Sequence, residues 1–99
     1  MELTKTQCGG KATFALSGRL DATAAPEFQA VLIPAFDEAS LVELDLAALT
    51  YVSSAGLRVL LLGEKTAKSK GAAMPIRNVS QEIKEIFDMT GFSDILNIV

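Results

Sequence analysis

The chain contains no histidine and no tryptophan, and only one cysteine and one tyrosine. Without histidine, neither a Ser-His nor a Cys-His nucleophile pair can be built. With Cys8 as the only thiol, an internal disulfide and an ordinary zinc site are both excluded. A glycine-rich phosphate loop is also missing. The chain is therefore expected to be no enzyme, with no catalytic residue, no metal ligand and no cofactor. Nine basic residues against twelve acidic ones leave a net charge of −3. That lacks the basic excess of a nucleic-acid-binding surface. No apolar run approaches the roughly 18 residues of a membrane span. The densest, Val59 to Leu62, is flanked by Arg58 and Lys65. The opening Met1-Glu-Leu-Thr-Lys5 has no apolar signal core, so a cytoplasmic protein without membrane insertion is expected.

What is present suffices for one core. Apolar residues make up 49% of the 99 and charged ones 21%, which predicts a single domain over residues 1–99. Glu2–Cys8 and Lys11–Ser17 read as strands joined at Gly9-Gly10, a hairpin signal. Gly18-Arg-Leu-Asp21 then leaves the second strand. Thr23 is the expected cap of a first helix, with Pro26 in its first turn and Pro34 kinking or ending it near Ile33. Leu41–Leu46 alternates: Val42, Leu44 and Leu46 on one side, Leu41, Glu43 and Asp45 on the other. A strand with one charged side predicts helices on one face of the sheet only, leaving Glu43 and Asp45 on a solvated face. A second helix runs to about Lys70, where Gly71 stops it. At 3.6 residues per turn, Gly56, Val59, Leu60, Gly63 and Ala67 share its inner face. Leu57, Leu61, Glu64 and Lys68 flank that face, touching either a neighbouring helix or a partner. Ala73–Arg77 and Asp94–Val99 are expected strands around a third helix. Ser80 could cap that helix, and Phe92 is expected to dock in the core.

The order β-β-α-β-α-β-α-β predicts a small mixed α/β sheet. Right-handed crossovers put its helices mainly on one face. The turns holding Asp21, Ser53-Ser54 and Asn78 then share the carboxyl edge, where ligands collect in such sheets. The chain is organised around Leu49-Thr-Tyr-Val-Ser-Ser-Ala-Gly-Leu-Arg-Val-Leu-Leu-Leu62, which leads from a polar turn into the second helix. Ser53 is a natural N-cap. Ser54 falls in the first turn, where unpaired N–H groups and the helix dipole favour negative charge, a phosphoryl group included.

These residues resemble the STAS domain family, and specifically the bacterial anti-sigma factor antagonists. The likeness rests on Gly18-Arg-Leu-Asp21, on Leu44-Asp-Leu46 leading through Leu49 to Leu57, and on Ile86-Phe-Asp-Met-Thr-Gly-Phe92. It covers essentially the whole chain. The resemblance implies a STAS-like fold and a partner-switching role in transcription regulation. The unphosphorylated antagonist would bind an anti-sigma factor that is also a serine kinase, and phosphorylation would release it. A phosphatase would reset the switch. Ser54, rather than Ser53, matches the acceptor. Ser53 stands where well-known members often carry aspartate, so a non-phosphorylated adaptor of a transport or stress-signalling complex remains the alternative. The implied partner surface comprises Asp21, Ser53, Ser54, Leu57, Arg58 and Leu61, on a chain that is a monomer or weak dimer.

Overall fold

The computed structural model describes residues 1–99. Its elements are β1 (Glu2–Cys8), β2 (Lys11–Leu20), α1 (Ala25–Ala35), β3 (Leu41–Val52), α2 (Ser54–Ser69), β4 (Pro75–Arg77), α3 (Gln81–Thr90) and β5 (Asn97–Ile98), with a 3₁₀ turn at Phe92–Asp94. The strands lie in the order β1-β2-β3-β4-β5. β1 runs antiparallel to β2, and the later neighbours are all parallel. The hairpin closes with Cys8 opposite Lys11, and of its two glycines only Gly9 adopts positive φ.

One face of the sheet is apolar and covered. Phe14, Leu16, Val42, Leu44, Leu46 and Ile76 are buried there with Phe28 and Leu32 of α1, Val59 and Leu60 of α2, and Ile83 and Phe87 of α3. Each such side chain contributes about 1.5–3 kcal/mol of transfer free energy. Phe14 meets Phe28 edge-on, with ring centroids 6.2 Å apart. No helix is long and apolar enough to cross a membrane.

Several expectations are corrected. β2 continues through Gly18 and Arg19 to Leu20, and β3 runs on to Val52. The reason lies in their ladder. Ala15 pairs with Asp45, Gly18 with Leu49 and Leu20 with Val52, so two register shifts each give β3 one extra residue. The buried apolar positions of β3 therefore run Val42, Leu44, Leu46, Leu49, Val52, and the period of two breaks after Leu46. Such bulges bend a strand and re-aim its end. Pro34 lies inside α1, which ends one residue later at Ala35. Both Pro34 and Ala30, whose carbonyl loses its N–H donor, are exposed, so water can satisfy that oxygen. Glu43 is not solvated. It is 9% exposed, with Arg77 at 2.7 Å and Lys11 at 3.6 Å reaching over it on the helix-free face. β4 and β5 are shorter than expected. Ala73 adds only an isolated bridge to Leu41, and Phe92 is half-buried against the core beside its 3₁₀ turn.

Candidate functional site

The bulged ladder ends by bringing two turns together. The amide of Ser53 donates to the Leu20 carbonyl at 2.9 Å, tying the start of α2 to the end of β2. Ser53 is extended, with φ −88° and ψ 173°, and its Oγ accepts from the Gly56 amide at 3.2 Å. Its carbonyl accepts from the Leu57 amide at 2.9 Å. Ser53 is thus the N-cap of α2. Ser54 is the first helical residue and is exposed. Amides of a first turn have no intrahelical acceptor, so its hydroxyl stands in a positive field.

Gly56 makes this approach possible. A Cβ placed there would lie 2.7 Å from the Leu20 carbonyl oxygen and 2.9 Å from Val52 Cγ2. Further along the same face, a Cβ on Gly63 would meet Met74 Sδ at 2.8 Å and Leu32 Cδ2 at 2.9 Å. The predicted inner face of α2 is correct: Gly56, Val59, Leu60, Gly63 and Ala67 are all buried.

Asp21 closes the other side of the site and takes the capping role expected of Thr23. Its Oδ1 accepts from the Ala24 amide at 3.0 Å and the Thr23 amide at 3.1 Å, and its carbonyl accepts from Ala25. Thr23 is exposed and caps nothing, and the N-cap proper, Ala24, has no side-chain bond to offer. The Ala24 amide is the main cause holding the Asp21 carboxyl below the usual carboxylate range, helped by the Thr23 amide and the Arg19 charge. Arg19 stacks on the Tyr51 ring, 4.1 Å from its centroid. Asn78 is a turn residue at φ 58°, donating to Asp45 at 3.1 Å.

Of the six expected surface residues, Asp21 and Ser53 flank the hydrogen bond between Ser53 and Leu20, and Ser54 and Arg58 are exposed on α2. Leu57 is 7% exposed and belongs to the core, which removes it from any free partner stripe. Leu61 is half-buried and lies outside the groove that Arg58 lines. That groove, about 660 Å³ between α1 and α2, is walled by Ala25, Ile33, Ala55 and Leu62 among others, with Arg58 as its one charged residue. Sequence reasoning missed it. The alanines at 22, 25, 30 and 55, which leave the room, were its only signal.

The comparisons with known proteins agree with this fold. The family model described as "Mlab, STAS domain" matches residues 4–98. The anti-sigma-B factor antagonist of Bacillus subtilis (strain 168) is 29% identical across 84% of this chain and 76% of its own length. That of Staphylococcus epidermidis is 31% identical, covering 84% and 78%. In the solved structures, the Bacillus cell fate determinant SpoIIAA in its phosphorylated form matches with a TM-score of 0.79. Identity there is 15%, over 99% of this chain and 91% of that one, and the likeness is one of fold.

Proposed function

The chain belongs to the STAS domain family, and on that premise we propose that it is a partner-switching anti-sigma factor antagonist acting in the cytoplasm. In its unphosphorylated form it binds an anti-sigma factor that is also a serine kinase, and so frees the sigma factor. The kinase transfers the γ-phosphoryl group of a nucleoside triphosphate to Ser54 Oγ. The new P–O bond forms as the bond to the diphosphate breaks, and the hydroxyl proton leaves. A phosphatase hydrolyses the ester and restores binding. The chain regulates without catalysing a reaction of its own.

The observation that carries this reading is the division of labour between two adjacent hydroxyls. Ser53 Oγ is engaged with the Gly56 amide, whereas Ser54 is exposed in the first turn of α2. A phosphate there adds about −1.5 to −2 charge at neutral pH, and the helix N-terminus tolerates it. The fold need not change. The loss of binding comes from like charge and desolvation at the interface, worth several kcal/mol, and about 1.4 kcal/mol is already tenfold in affinity.

The test is incubation with the cognate kinase and nucleoside triphosphate, followed by peptide mass spectrometry. Phosphate is expected on Ser54 in the wild type and in Ser53→Ala, and none in Ser54→Ala. Ser54→Asp should bind the kinase at least tenfold more weakly. No phosphate on Ser54, together with unchanged affinity of Ser54→Asp, refutes the switch and leaves the adaptor reading.

A further inference from the structure

Resting on Ser54 as the acceptor, we infer that Arg58 is the internal counter-cation of the phosphate monoester. Arg58 follows Ser54 by four residues on α2, so the two side chains are helical neighbours with Cβ atoms about 5–6 Å apart. The anion lies N-terminal to the cation, which is the favourable order. Arg58 is exposed and free: none of the five ion pairs of the molecule uses it, and no hydrogen bond holds it. It is also the one charged residue lining the groove between α1 and α2.

The other charged groups near the turn are Arg19 and the N-terminal ammonium, whose charges both act on the Asp21 carboxyl, and Asp21 itself. Arg19, on β2, is stacked on Tyr51. Asp21, in the β2–α1 turn, is an anion whose Oδ1 accepts from two amides, and it repels a phosphate. Arginine binds phosphate through a planar fork of donors. Phosphorylation therefore does two things at once. It places a dianion next to Ser53, whose amide is tied to the Leu20 carbonyl at the end of β2, and it draws the groove's only cation toward α2's first turn. A partner that reads the groove through that guanidinium loses the contact as it meets the new charge.

The test installs phosphoserine at position 54 by genetic encoding in the full chain, so that it needs no kinase. The second ionisation of the phosphate, near pH 6 in a free phosphoserine, is followed by phosphorus NMR titration. Arg58→Gln is expected to raise it by about 0.3 pH unit, the size of an i,i+4 ion pair. Arg58→Lys should keep most of the wild-type value, and Arg19→Gln should shift it by much less than Arg58→Gln does. Identical titrations for wild type and Arg58→Gln, or an equal shift in Arg19→Gln, overturn the assignment. A kinase that fails to modify Ser54 counts against the proposed function and leaves this titration unaffected.

Discussion

Replacing Gly56 by alanine tests the packing on which the site depends, and Gly63→Ala supplies its internal control. Both glycines lie on the buried face of α2, and an alanine gains up to about 1 kcal/mol of helix propensity, less at Gly56 in the first turn than at Gly63 in the interior. Their surroundings differ. At Gly56 the nearest atom to a new Cβ is a backbone carbonyl oxygen, that of Leu20 at 2.7 Å, and the same oxygen already accepts from Ser53. It cannot retreat without pulling β2 or losing that bond. Overpacking of this kind costs typically about 1–3 kcal/mol, and the rigid neighbour puts Gly56→Ala at the upper end. Net of propensity, the loss is about 1–2 kcal/mol, a fall in Tm of roughly 5–15 °C for a domain of this size. At Gly63 the nearest atoms are the ends of Met74 and Leu32, and methionine repacks readily. Gly63→Ala should therefore stay within about 1 kcal/mol of the wild type. Urea unfolding at constant m-value measures both. A Gly56→Ala variant as stable as the wild type, or a Gly63→Ala variant less stable than Gly56→Ala, would refute a rigid carbonyl contact at Gly56. Because the displaced oxygen anchors Ser53, Gly56→Ala should also weaken kinase binding beyond its effect on stability.

Three further outcomes are expected. Ser53→Ala removes the Gly56 cap bond and should cost about 1 kcal/mol by urea unfolding; an unchanged midpoint would count against the cap. Glu64 is 8% exposed, and its Oε2 has no hydrogen-bond partner. An unmade bond of this kind costs about 1–3 kcal/mol, so Glu64→Met should raise the urea midpoint, and a lowered midpoint would show that the carboxylate is compensated. Asp21 and Asp88 both have carboxyls held below the usual range, Asp21 chiefly by the Ala24 amide and Asp88 chiefly by the Ser93 hydroxyl and then Lys84. A depressed folded value contributes stability above the unfolded value, about pH 4, and loses it as pH falls through the folded one. Stability should therefore decline below about pH 4, and the double variant Asp21→Asn with Asp88→Asn should decline less steeply. Equal acid slopes would contradict this.

Much of the fold was legible because its signals are local. Alternation in Lys11–Ser17 and Leu41–Leu46, the 3.6 period of α2, and stops such as Gly71 belong to single elements and need no partner to be seen. What escaped depends on neighbours. Asp21 and Thr23 are both competent caps, and the carboxylate was placed by where β2 ends. Glu43 resembled a solvated residue because Lys11 and Arg77, which cover it, come from adjacent strands. The extension of β3 to Val52 was hidden by its bulges, since a spacing of three from Leu46 to Leu49 and again to Val52 imitates a turn. At the site, the serines were visible as a cap and a spare hydroxyl. The groove beside them was not, because it is made of space left by alanines on two helices.

The two register shifts between β2 and β3 also constrain how such a chain can change in length. Each shift alone turns the rest of β3 over, and the second turns it back, so that Leu20 and Val52 both face the interior and Asp21 and Ser53 leave the sheet level with each other. The strand keeps its bearing by parity. Losing one residue between Leu46 and Val52 would turn Val52 to solvent and detach Ser53 from Leu20; losing two could restore the facing. Drift in this segment is thus expected to proceed by even steps, and a lineage that sheds a single residue here must find its second loss before the turn can again carry a signal.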